Sequence, residues 1–183
     1  KFKDFQVRLT NAIIQRQALD RIMIGFNGVS AAAATNRDTY PLLQDVNIGW
    51  LKKIRTKAVD RVLDEGVEDS GKVTVGATGD YKTLDGLVFD AVQMLDPWHR
   101  TRPDLVVLVS RDLMHEKLLK AVEKGAASNQ EENAAQEVVS RARLGGLPVV
   151  DAPFFPEGTV LVTFLKNLSI YWQEGARRRH LLD

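Results

Sequence analysis

The sequence predicts an α+β protein, and three observations predict it. Apolar residues recur every three or four positions from Phe2 to Met23, Leu105 to Val109 is an unbroken aliphatic run, and three short strand-like segments crowd between Leu147 and Trp172. The first is the period of a long helix, the second the signature of a strand buried on both faces, and the third a sheet that follows helices.

Taken in order, Phe2, Phe5, Leu9, Ile13, Leu19, Ile22 and Met23 trace one face of a helix over 2–24, and Gly25 and Gly28 are its expected terminators. Arg8, Arg16 and Arg21 fall largely off that stripe, so each faces water or another chain. From Val29 to Tyr40 the residues are small and polar, with four alanines but no large apolar anchor, and a surface loop is expected. Trp50, inside the mixed stretch Pro41 to Ile54, is large enough to be a packing anchor. Ala58 to Leu63 reads as a short helix and Asp64 to Ser70 as an acidic linker.

Lys72 to Val75 alternates like a strand, and Gly76 to Asp80 is rich in turn residues. Thr83 is the expected N-cap of a helix carrying Leu84, Leu87, Val88, Ala91, Val92 and Leu95, which Pro97 stops. Ser110 follows the aliphatic run and can cap a further helix with Leu113, Met114, Leu118, Ala121 and Val122 inward. After the polar stretch Gly125 to Asn133, a helix is expected from about Ala134 to Arg143, broken at Gly145-Gly146. The strand candidates are Leu147–Val150, Thr159–Phe164 and Leu168–Trp172, with Pro156-Glu157-Gly158 as the turn between the first two.

Composition narrows the function classes. With 44% hydrophobic and 27% charged residues the chain can build a core and stay soluble. No apolar run reaches the ~20 residues of a membrane span, and the start Lys1-Phe2-Lys3-Asp4 has no apolar stretch of a secretory signal, so a cytosolic product is expected. The absence of cysteine removes disulfides, thiolate nucleophiles and cysteine metal sites. A net charge of +1 gives no bulk attraction to nucleic acid or membrane. Neither terminus reads as a natural end, and a piece of a longer protein is expected.

Candidate chemistry is thin. His99, His115 and His180 stand in three unrelated contexts without ligand spacing, which argues against zinc and against general-base catalysis. Gly76-Ala77-Thr78-Gly79-Asp80-Tyr81-Lys82-Thr83 ends in Lys-Thr before a helix, yet Asp80 and Tyr81 separate the lysine from the last glycine, and Asp80 would repel a phosphate. Gly25-Phe26-Asn27-Gly28 ends a helix and is no dinucleotide fingerprint. Arg177-Arg178-Arg179-His180 is a dense basic run that suits subunit contact, a solvated tail or, less well, DNA phosphates. No catalytic, cofactor or metal residues are assigned. The rival readings are a small phosphate- or nucleotide-binding α/β protein using Lys82 and Thr83, and a DNA-binding module using the arginine run.

Longer blocks are more specific. Gln15 to Ser30 (QRQALDRIMIGFNGVS), Pro41 to Asn47 (PLLQDVN), Gly49-Trp50-Leu51, Gly145 to Pro148 (GGLP), Ala152 to Pro156 (APFFP) and Asn167 to Tyr171 (NLSIY), leading to Gly175 and Arg177 to Arg179, closely resemble the major capsid proteins of the P2 group of contractile-tailed phages. The resemblance runs through nearly the whole chain in the expected order. It implies the Hong Kong 97-like phage capsid fold: a long spine helix over about 2–25 within a peripheral part (1–72), an axial domain with a central mixed sheet and flanking helices (73–166), and a return toward the periphery (167–183). It also implies that the N-terminal arm, the extended loop and the C-terminal strand are missing here, so that this piece cannot close a shell alone. The implied role is structural, with no enzyme activity and no cofactor. The implied partners are copies of itself in capsomers, a scaffolding protein, a portal and, non-specifically, packaged DNA, with no membrane. The virion capsid, assembled in the host cytoplasm, is the implied location. The expected subunit contacts are Arg8, Arg16, Arg21, Arg177, Arg178 and Arg179.

Overall fold

The computed structural model describes residues 2–66, 70–115, 117, 119 and 143–173. Its centre is a four-stranded mixed sheet in the order β2-β3-β1-β4, formed by β1 (Leu105–Val109), β2 (Arg143–Leu144), β3 (Leu147–Val150) and β4 (Val160–Phe164). β1 runs parallel to β3, with Val107 opposite Val149, and antiparallel to β4, with Val107 opposite Val162. Side chains on a strand alternate between faces, and here both faces are covered. Val107, Val109, Val149, Val160 and Val162 point into one apolar cluster, while Val106, Leu108, Val150 and Leu161 point into the other. The aliphatic run is therefore continuous because neither of its faces meets water.

The first face is covered by α3 (Leu84–Gln93) through Leu84, Leu87 and Val88, and by Leu113 and Met114 of the helical residues 111–115. The Thr83 hydroxyl accepts the Gly86 N–H at 3.1 Å and caps α3 as expected. The second face receives the end of α1 (Phe2–Asn27) and α2 (Trp50–Lys57). Phe26 sits edge-on to both Trp50 and Phe155, with ring centroids 5.2 and 5.1 Å away. The Trp50 indole N–H donates to the Ser169 carbonyl at 3.0 Å, so the expected anchor holds the chain's later segment as well.

Several expectations are corrected. Gly25 does not end α1, which continues to Asn27. A Cβ at Gly25 would lie 2.4 Å from the Trp50 ring, so this glycine serves close packing and not termination. Lys72 to Val75 forms no strand, only a single bridge between Val75 and Tyr81. The Asp80 carboxylate accepts both the Thr74 N–H (2.8 Å) and the Thr74 hydroxyl (2.7 Å), and a side chain thereby takes the place of a ladder partner. Pro97 does more than follow α3. It opens a short helix α4 (Pro97–Arg100) at the first-turn position its fixed φ favours. Leu168–Trp172 does not form a strand, because no strand among the described residues pairs with it. Arg143 lies in β2 rather than at a helix end, and Gly145-Gly146 is the two-residue turn of the β2–β3 hairpin, with φ of +56° and +83°. The short helix expected over 58–63 is a 3-10 turn at Val59–Arg61. Leu118, Ala121 and Val122, and the helix expected from Ala134, lie outside the described residues, as does part of the acidic linker.

Candidate assembly surface

At about 1.5 Å per residue, the 26 residues of α1 extend roughly 39 Å. Only the last turns are seated on the sheet, where Met23 and Phe26 are buried and Ile22 packs beside them. Every residue from Asp4 to Leu19 is exposed. Within that exposed length lie Phe5 (62% exposed), Val7 (59%), Leu9 (50%), Ile13 (49%), Ile14 (57%) and Leu19. Phe5, Leu9 and Ile13 follow the four-residue repeat of one face, whereas Val7 and Ile14, seven apart, stand on another. The expected stripe exists, but the chain itself covers none of its outer length.

Six large apolar residues on the surface of one helix exceed the scatter found on monomeric proteins. The described residues leave this length of α1 without an apolar cover. Arg16 continues the row of Leu9 and Ile13 instead of lying off it, and its guanidinium meets Asp20 one turn later at 2.9 Å. Arg8 and Arg21 are exposed and meet no carboxylate among the described residues. Arg177, Arg178 and Arg179 lie outside the described residues.

The segment after the sheet adds to the exposed apolar surface. Leu168 packs into the second cluster and Ser169 is held by Trp50, but Tyr171 is 91% exposed and Ile170 45%.

The loop at 76–83 offers no phosphate cradle. Four of its amides are already engaged: Gly76 donates to the Tyr81 carbonyl, Gly79 to the Gly76 carbonyl, Asp80 to the Thr74 hydroxyl and Tyr81 to the Thr74 carbonyl. Thr83 is occupied in capping α3, and the Thr74 hydroxyl and amide hold the Asp80 carboxyl below the usual carboxylate range, so it stays charged. His99 lies beside Trp98 and Phe164, at centroid distances of 5.9 and 6.0 Å, and His115 is exposed on its helix. His180 lies outside the described residues. No cluster of metal-ligating side chains occurs among the described residues, and no described helix is long and apolar enough to cross a membrane.

One polar feature escapes a reading based on elements. α2 (WLKKIRTK) carries Lys52, Lys53, Arg55 and Lys57 in eight residues. The sequence signal for it is the run of cations spaced around an apolar Trp-Leu-Ile face.

Residues 1–183 match the family described as phage major capsid protein, P2 family. The chain is 45% identical over 185 residues to the "Capsid proteins" of Escherichia phage P2, covering 98% of this chain and 52% of that one. It is 40% identical over 188 residues to the major capsid protein of Serratia phage KSP20, covering 98% and 53% respectively. Among solved structures, a chain of the satellite phage P4 procapsid including size determination (Sid) protein superposes with a TM-score of 0.82 at 44% identity, over 96% of this chain and 53% of that chain. The chain spans about half the length of the relatives it matches.

Proposed function

The chain belongs to the P2 family of phage major capsid proteins, and from that premise we propose that its exposed helix α1 is the surface through which copies of the protein meet to build the icosahedral head. The family is a structural one. The observation that carries the reading is the exposed apolar length of α1, since association would remove Phe5, Leu9 and Ile13 from water. The finer architecture in this proposal is of the Hong Kong 97 type, with α1 as the spine helix, 73–166 as the axial domain around the capsomer centre, and 167–183 returning to the periphery.

In a closed symmetric shell each contact is repeated many times, so modest contacts suffice and charge pairs fix register more than they add affinity. Arg8, Arg16, Arg21 and Arg177 to Arg179 take that register role, Arg16 by exchanging its local partner Asp20 for one across the interface. The partners are other copies in capsomers, a scaffolding protein and a portal, and the place of action is the virion capsid.

The test is electron microscopy of the protein expressed at the full length of its relatives. Closed particles are expected from the wild type and not from Arg8→Glu/Arg21→Glu, and the 183-residue chain alone should form none. Full-length particles unaffected by the charge reversal would remove Arg8 and Arg21 from the interface.

A further inference from the structure

The apolar face of α2 is Trp50 and Leu51, seated on the sheet, with Ile54 half-buried beside them. The remaining arc carries Lys53, Arg55, Thr56 and Lys57, all exposed, with Lys52 half-buried beside them. None of the four cations meets a carboxylate among the described residues. A chain with 25 cations and 24 anions thus concentrates four cations in one eight-residue helix that has no acidic residue.

Part of this arrangement works against the helix. Lys52 and Lys53 lie in the first turn, where the helix dipole disfavours positive charge, and Gly49 provides no side-chain cap, whereas Arg55 and Lys57 lie in the last turn, where the dipole favours them. Lys53 and Lys57 are like charges four residues apart, and Lys52 and Arg55 three apart, spacings at which repulsion destabilises a helix. Like charges crowded on one arc, and without a carboxylate partner among the described residues, fit a polyanion that lies outside the chain. The outward arc of α2 has no apolar side chain, whereas a protein partner would seek apolar anchors. Ile48 and Val59 are exposed only beyond its two ends.

We propose that the outward face of α2 docks the phosphate backbone of duplex DNA, without sequence preference, as the point where the shell wall meets the genome. This rests on the shell-protein reading above. Contacts of this type release counterions, and affinity then falls with salt by a slope of about 0.9 per phosphate neutralised.

The 183-residue chain is titrated with fluorescent duplex DNA from about 50 mM salt upward, as wild type, as Lys53→Gln/Arg55→Gln/Lys57→Gln, and as the control Lys82→Gln, with circular dichroism to verify the fold. Wild type and control are expected to bind with the same salt slope, and the triple variant to lose most of the affinity and about 2.7 of the slope. No binding by the wild type, or an unchanged triple variant, would overturn the proposal. Tighter binding of polyglutamate than of DNA at equal charge would also overturn it, by assigning the surface to an acidic protein. Particles formed by the full-length triple variant would keep the shell reading intact whichever way the titration falls, whereas absence of particles from the full-length wild type would overturn that reading instead.

Discussion

β1 and the outer length of α1 are both rich in large apolar side chains, and they differ in who covers them. Val107 and Leu108 are 0% and 1% exposed, enclosed by α3 on one side and by the end of α1 and α2 on the other, whereas Phe5 and Ile14 are 62% and 57% exposed. The same chemistry therefore serves two equilibria. Burial at the sheet drives folding of the single chain, and in the proposed assembly burial along α1 is deferred until copies meet. The sequence pattern reports the element in both cases, a buried strand and a long helix, but not the identity of its cover.

Truncation separates the two regions. Leu108→Ala should destabilise the monomer by about 2–5 kcal/mol in denaturant unfolding, while Leu9→Ala should leave the monomer within about 0.5 kcal/mol of wild type. The Leu9 variant should instead reduce the particle yield of the full-length protein. Equal stability losses at the two sites would break the comparison.

The joint between the regions gives the next largest effect. A Cβ at Gly28 would meet the Asn47 carbonyl oxygen at 2.1 Å and that of Ile24 at 2.6 Å, both backbone atoms that cannot rotate away. Gly28→Ala should cost about 1–3 kcal/mol by overpacking, visible as a lowered Tm. Thr83→Ala removes a cap on the sheet side alone and should cost about 1 kcal/mol.

The smallest effect is electrostatic. Burial pushes the Asp85 carboxyl up, but the Lys117 ammonium at 2.8 Å and the Gly145 N–H at 3.1 Å outweigh it and leave the group below the ordinary carboxylate range. A depressed folded-state value means that its contribution is complete above the unfolded value and is lost as pH falls through the folded one. Asp85→Asn should flatten the stability profile between about pH 5 and pH 2, and should lower neutral-pH stability by less than about 1 kcal/mol because the pair is half-exposed.

What could be read from the sequence follows the same division. β1 was legible because a run of five aliphatic residues has one structural meaning when turns bound it, and Thr83 because a cap acts within three residues. Gly25 misled because the helix tolerates a glycine whose reason is the Trp50 ring, 25 residues away. The strands expected at 72–75 and 168–172 have the right alternation, but alternation encodes a face and not a pairing partner. Gly145-Gly146 signalled a break, and only the neighbouring Leu144, fully buried against α3, identifies the break as a hairpin. The arginines of α1 were legible as surface residues. The cations of α2 were not read as a surface of their own, since their meaning depends on the apolar face beneath them.

Hydrogen exchange across α1 tests the central claim most directly, comparing full-length protein in assembled particles with the same protein dissociated. The account predicts rapid exchange of amides 6–19 in the free subunit and strong protection in the particle, with the β1 amides protected in both. Equal exchange of 6–19 in the two states would contradict it.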